Sequence, residues 1–142
     1  MTFYLLTKPE VRSKVATELM TVMDAQNPPK WSKLEQHPYL SAVLLEAIRL
    51  SYGIAARLPR VAPDEALIYE GKFGNKPVRH VIPPGTAIGM TSVLLHANQD
   101  IFPEPDEFRP ERWLTENGTR RKDLEGYLLS FGKGTRQCLG MK

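Results

Sequence analysis

Apolar residues recur at helical spacing in two stretches of the amino-terminal third of the chain. The first stretch runs from Phe3 to about Met23, and Pro9 marks a boundary or a kink near its start. The second runs from Lys33 to about Ser51 and carries the apolar stripe of a core-facing helix, made of Leu40, Val43, Leu44, Ala47 and Ile48. The pattern therefore predicts two helices. We expect the first of them to lack a packing partner within this chain, which makes independent folding of the chain doubtful.

The middle of the chain predicts short strands. Extended segments are separated by Gly71, by Gly74-Asn75 and by Pro83-Pro84-Gly85, which are typical turn residues. A brief helical turn follows at Thr91–Ala97, and the prolines between Phe102 and Trp113 exclude regular structure there. The predicted strands are Arg57–Val61, Ala66–Tyr69, Val78–Ile82 and Ala87–Met90. The expected fold class is α+β, mainly α.

Composition narrows the function classes. The 142 residues carry 19 Lys+Arg against 16 Asp+Glu, a formal charge of +3, which gives no reason to expect nucleic acid as a partner. The longest run free of acidic and basic residues, Val81 to Ala97 apart from His96, is interrupted by prolines and is too short for a membrane span. One cysteine and three histidines exclude an internal disulfide and a zinc site of the CxxC…CxxC type.

Two candidate motifs remain ambiguous when each is considered alone. Glu46 and Arg49 lie three residues apart, opposite the apolar stripe of the second helix, and this spacing favours a solvated ion pair. The terminal loop places Cys138 among glycines, with Lys133 and Arg136 nearby to stabilise a thiolate. A buried, inert cysteine is the main alternative, whereas a phosphate-binding loop is excluded because Gly134 follows Lys133 where Ser or Thr is needed.

Three motifs together resemble the carboxy-terminal part of a cytochrome P450. They are Glu-x-x-Arg at 46–49, Phe-Arg-Pro-Glu-Arg-Trp at 108–113 and Phe-x-x-Gly-x-Arg-x-Cys-x-Gly at 131–140, and they occur in the family's order. Leu-Pro-Arg-Val-Ala-Pro and Lys-Gly-Thr-Arg-Gln-Cys-Leu-Gly are most similar to filamentous-fungal microsomal members. The resemblance extends from about Phe3 to Lys142 as one partial domain, 1–142. Its least similar part, Glu70–His80, is either a hairpin extension or a retained-intron artefact.

The resemblance implies a role for each matching residue. Cys138 would be the axial thiolate ligand of haem iron, and Gly140 would belong to the loop around its sulfur. Phe131 would pack beside the sulfur and limit water. The resemblance also implies that cationic or donor side chains contact the haem propionates, namely Arg60, His96 and Arg136. A structural Glu-Arg-Arg network would join Glu46, Arg49 and Arg112 and lock the segment before the cysteine loop onto the second helix.

The same resemblance implies a function for a longer parent protein. The parent would be a monooxygenase that inserts one oxygen atom of O2 into a small organic substrate, with electrons from an NAD(P)H-dependent reductase. The family's oxygen-binding helix and final helix have no counterpart in residues 1–142, and fungal relatives predict an endoplasmic reticulum membrane location for the parent. The alternative is a non-catalytic remnant or a mispredicted gene fragment without activity of its own.

Overall fold

The computed structural model describes residues 1–53 and 55–141. These residues form two compact units, one built from 1–53 together with 92–141 and the other from 55–91. Among the described residues, no helix is long and apolar enough to cross a membrane. The observed elements confirm an α+β fold in which helices predominate.

Prolines divide both predicted helices. The first stretch forms α1 (Thr2–Thr7) and α2 (Pro9–Met20), because Pro9 occupies the first position of a new helix. The second stretch was predicted as one helix but forms α3 (Trp31–Leu34) and α4 (Pro38–Arg49). That prediction was wrong because Pro38 cannot continue the preceding helix, whereas it suits the start of the next.

α4 contributes to both hydrophobic clusters of the larger unit. On one side, Val43 packs with Val11 and Val15 of α2 and with Phe108. On the other side, Ala42 packs with a second cluster made of Phe102, Trp113 and Leu124. The expectation that the first helix lacks a partner is therefore wrong, because α2 buries its valines against α4 and against the loop that carries Phe108.

The smaller unit consists of two antiparallel pairs of strands. β1 (Arg60–Val61) pairs with β4 (Ala87–Ile88), and β2 (Leu67–Phe73) pairs with β3 (Lys76–Ile82). Gly71 was predicted as a separator but lies within β2, opposite Val78. The Tyr69 hydroxyl lies where it would clash with a Cβ of Gly71, so glycine leaves room for this ring. Glu70–His80 is thus part of a regular hairpin with its turn at Gly74-Asn75.

The carboxy-terminal third is mostly loop, held by short helices. α5 (Ser92–His96) confirms the predicted helical turn, and α6 (Lys122–Glu125) follows further along. The segment 102–113 is irregular as predicted except at its end, where Pro110–Trp113 form a 3₁₀ helix. Two more 3₁₀ turns, Gly134–Arg136 and Leu139–Met141, flank Cys138. These elements bring the three sequence motifs into the same unit as α4.

Replacement of Phe108 tests the packing around α2 and α4. Its ring stacks on Tyr4 with 4.1 Å between centroids and is 3% exposed. We expect Phe108→Ala to lower the free energy of unfolding by about 3–5 kcal/mol through lost burial and a residual cavity. Phe73→Ala is the matched control, because a ring that is 82% exposed should contribute less than about 0.5 kcal/mol. Urea unfolding of both variants measures the difference, and equal losses would contradict the assigned core.

Candidate functional site

The carboxylate of Glu46 receives five hydrogen bonds in the interior of the larger unit. Arg49 binds it in a forked geometry, with Nε 2.9 Å from Oε2 and Nη2 2.9 Å from Oε1. The Nε of Arg112 and the backbone N–H of Arg109 each donate to Oε1 at 3.0 Å. The indole N–H of Trp113 donates to Oε2 at 2.9 Å. Glu46 therefore joins α4 to the 3₁₀ helix Pro110–Trp113 and to Arg109, the residue before it.

The remaining donors of the two arginines bind backbone carbonyl oxygens. Arg112 donates to the carbonyls of Pro103, Glu104 and Glu107 at 2.7, 3.0 and 3.3 Å. Arg49 donates to the carbonyl of His96 at 2.8 Å. Two guanidinium charges face a single carboxylate, so these carbonyl dipoles supply the remaining electrostatic compensation.

Burial and hydrogen bonding act on Glu46 in opposite directions. Burial alone would raise the pKa of this carboxyl, but the bonds from Arg49, from the N–H of Arg109 and from Trp113 hold the pKa below its usual value of 4.5. Burial lowers the pKa of Arg112, although the neighbouring Glu46 charge opposes that change. The ion pair is consequently charged at neutral pH, in a dry environment.

The interpretation of Glu46 and Arg49 as a solvated pair is wrong, because both side chains are fully buried. The network that the family resemblance implies is present, with both arginines on one carboxylate. The sequence predicted no role for Trp113 or for the backbone N–H of Arg109. Arg109 lies three residues before Arg112, and a 3₁₀ turn brings residues at that spacing to one side, so this spacing was the available signal for Arg109.

The terminal loop is closed by its own backbone and presents one thiol. Cys138 N–H donates to the carbonyl of Phe131 at 2.8 Å, which joins the two ends of the loop. Gly132 and Gly134 adopt φ values of 67° and 73°, and these conformations favour glycine. Cys138 is exposed, so the alternative of a buried, inert cysteine is wrong.

The donor set around Cys138 is suited to a metal that brings most of its own ligands. Within residues 1–53 and 55–141, no cluster of three or more His, Cys, Asp or Glu side chains could hold a bare metal ion. A lone thiolate is, however, sufficient as the protein ligand of a haem iron, whose other ligands come from the porphyrin. Phe131 is 38% exposed and Leu139 is 94% exposed, so apolar side chains accompany the thiol at the surface. These residues fit an apolar, sulfur-binding group such as haem.

The other predicted cofactor contacts occupy different environments. Arg136 is exposed and lies in the 3₁₀ turn before Cys138, and Gly140 lies in the turn after it. Arg60 belongs to the smaller unit and donates to the carbonyls of Leu58 and Pro59. His96 is 1% exposed, and both of its ring nitrogens are engaged with backbone groups of the larger unit. In this arrangement His96 has no ring nitrogen free for a propionate, whereas the roles of Arg60, Arg136 and Gly140 stay predictions.

The site thus consists of a buried ion-pair network and, in the same unit, an exposed loop that bears one thiol. The sequence model of the cytochrome P450 family matches residues 1–142, the whole chain. Three curated fungal relatives agree with this match. Cytochrome P450 monooxygenase tndB of Aspergillus flavipes is 42% identical across 100% of this chain and 27% of the relative. Cytochrome P450 monooxygenase ucsK of Acremonium sp is 40% identical across 98% of this chain and 26% of the relative. Cytochrome P450 monooxygenase ppzE of Metarhizium rileyi is 43% identical across 98% of this chain and 38% of the relative.

The chain belongs to the cytochrome P450 family. It spans about a quarter to two fifths of the length of the curated relatives it matches. The match includes the hairpin at 70–80, within the part of the chain that was least family-like by sequence.

Arg112→Lys tests whether the geometry of the guanidinium matters beyond its charge. Lysine keeps the charge but cannot reach the carboxylate and three carbonyls at once. We therefore expect the free energy of unfolding to fall by at least about 1.5–3 kcal/mol, the value of one charge-assisted hydrogen bond. Arg109→Lys is the matched control, because that side chain is exposed and only its backbone N–H binds Glu46. Chemical unfolding compares the two, and an equal effect would argue against the role of Arg112.

Acid sensitivity tests the hydrogen bonds to Glu46. Its pKa is lowered on folding, so its contribution is fully present above pH 4.5 and is lost as the pH falls from 4.5 to the folded-state pKa. Trp113→Phe removes one donor and raises that folded-state pKa, so the loss of stability should become smaller and end at a higher pH. Trp31→Phe, at a ring 67% exposed, should follow the wild type. Urea unfolding at a series of pH values measures this, and coincident curves for Trp113→Phe and wild type would contradict it.

Proposed function

We propose that the chain is the part of a haem-thiolate monooxygenase that supplies and positions the axial thiolate, Cys138. The observation that carries the proposal is the exposed thiol in a glycine-dependent loop, in the same unit as the Glu46, Arg49 and Arg112 network. The family match and the monooxygenase names of the relatives support it.

The residues of the chain would contribute three things to the site. Cys138 would bind the iron as a thiolate, Phe131 and Leu139 would exclude water from the sulfur, and Arg136 would offer a cation to the propionates. The bond between Cys138 N–H and the Phe131 carbonyl would hold the thiolate in place. Bound haem would supply the activation of O2 by which the parent enzyme inserts one oxygen atom into an organic substrate.

Substrate and partners belong to the parent protein. Monooxygenases of this family take electrons from a redox partner, so we propose an NAD(P)H-dependent reductase for the parent, together with a small organic substrate. Its location at the endoplasmic reticulum membrane stays a prediction from the fungal resemblance. The non-catalytic alternative stays a second prediction.

Haem loading of a chain extended at both ends to the length of its relatives tests the proposal. We expect the reduced wild type to give the thiolate-type carbon monoxide spectrum and Cys138→Ser to lose it. Cys138→His is the matched control, because imidazole can bind iron but cannot give the thiolate signature. An extended wild-type chain that never gives this spectrum would overturn the assignment.

A second measurement separates the two candidate functions. The 142-residue chain is purified, supplied with haem and a reductase, and assayed for oxygen insertion. Turnover would refute the non-catalytic alternative. Absence of turnover together with a positive spectrum of the extended chain would assign activity to the parent alone.

A further inference from the structure

His96 lies at the point where α4 ends. The last carbonyls of a helix have no partner within it, and the Arg49 carbonyl is one of them. The Nδ1 of His96 lies 3.2 Å from this carbonyl oxygen. In return, the guanidinium of Arg49 donates to the carbonyl of His96 at 2.8 Å. Histidine and arginine thus hold each other through reciprocal contacts, and both are almost completely buried.

The second ring nitrogen determines the protonation of the first. The backbone N–H of Leu129 donates to Nε2 of His96 at 3.1 Å, so Nε2 must carry a lone pair. The proton of a neutral imidazole then resides on Nδ1, where it is donated to the Arg49 carbonyl. A single tautomer satisfies both contacts.

Leu129 is the residue that connects this contact to the cysteine loop. Its carbonyl accepts the N–H of Gly132 at 3.0 Å, at the start of the loop. The next residue, Ser130, donates its hydroxyl to the Ile48 carbonyl at 3.2 Å, which is a second attachment to the end of α4. Phe131 follows directly and accepts the N–H of Cys138. A continuous path of hydrogen bonds therefore runs from α4 through His96 and Leu129 to the thiol loop.

We propose that His96 is a positioning residue, whose neutral Nδ1–H tautomer fastens the start of the cysteine loop to the carboxy-terminal end of α4. It acts on the thiolate through Leu129 and does not bind a haem propionate. This rests on the proposed function where it concerns the thiolate, but the attachment itself exists without haem. The assignment replaces the propionate contact predicted from the family resemblance.

The surroundings of the ring favour the required neutral state. Burial lowers the pKa of His96 below its usual 6.5, and the charge of Arg49 acts in the same direction. The hydrogen bond with the Arg49 backbone and the charge of Glu46 oppose this change. The ring of Phe102 packs edge-on against the imidazole, with 6.1 Å between the ring centroids, and provides an apolar wall. Protonation would leave Nε2 without a lone pair, so acid should release Leu129 specifically.

Two substitutions test the contacts of the two ring nitrogens of His96 one at a time. The amide of Gln can place an oxygen near the position of Nε2, so His96→Gln keeps an acceptor for Leu129. The shorter amide of Asn matches the position of Nδ1, so His96→Asn keeps the contact with Arg49 and loses Leu129. Both replacements are polar and uncharged, which makes each the control of the other.

Amide hydrogen exchange of the haem-free 142-residue chain gives the readout. The N–H of Leu129 is compared with that of Arg121, which donates to the Trp113 carbonyl at 2.8 Å in the same unit. We expect the exchange rate of Leu129 divided by that of Arg121 to rise about two- to twelvefold in His96→Asn, which is the effect of one lost hydrogen bond. In His96→Gln the same ratio should stay within about twofold of the wild type. Equal effects of the two variants, or none, would overturn the proposal.

A pH series on the wild type keeps the test independent of whether the variants fold. The ratio between the two amides removes the intrinsic pH dependence of exchange. Protection of Leu129 should weaken relative to Arg121 as the pH falls from 6.5 to the folded-state pKa, and this trend should be absent in His96→Gln. A flat wild-type ratio through acid unfolding, or ¹⁵N shifts showing the Nε2–H tautomer at neutral pH, would contradict the attachment.

The haem-loaded, extended chain links the attachment to the thiolate. His96→Asn should lower the fraction of thiolate-type carbon monoxide spectrum, and His96→Gln should restore it. Weaker haem binding in both variants with unchanged Leu129 exchange would instead favour the propionate role and overturn the proposal. If no wild-type chain binds haem, the proposed function fails while the exchange result still decides the role of His96.

Discussion

The buried carboxylate of Glu46 is the interaction on which the larger unit depends. A carboxylate removed from water is tolerated only if every lone pair is satisfied, and here five donors perform that task. Three of them come from positions more than 60 residues away in the chain, namely Arg109, Arg112 and Trp113. Because a missing donor would leave an uncompensated charge, the network specifies one arrangement of the segment 103–113 relative to α4.

α4 organises the unit through its sides and its end. Its apolar residues contribute to both clusters, its buried Glu46 binds the 3₁₀ helix at Pro110–Trp113, and its last carbonyls accept donors from His96 and Ser130. The segments before the cysteine loop are therefore attached to one rigid element at several points. This explains how an exposed loop with two left-handed glycines is connected to a dry interior.

The sequence predicted two local features of the chain correctly. Gly74-Asn75 marked the hairpin turn, and the helical turn near His96 formed as expected. The helix boundary at Pro38 was missed although the whole apolar stripe lies beyond it, and proline geometry ended one helix and began another there. Gly71 failed as a separator because strand pairing and the Tyr69 ring compensate for the absent side chain.

By itself the sequence determined the candidate chemistry: one cysteine in a glycine-rich loop, and three motifs in the order of a known family. Tertiary structure decided which polar residues are buried. The spacing of Glu46 and Arg49 is equally compatible with a solvated pair, and only the approach of Arg112 and Trp113 removes both from water. His96 shows the same limit, because its partners are backbone groups 47 and 33 residues away, which no side-chain pattern can reveal.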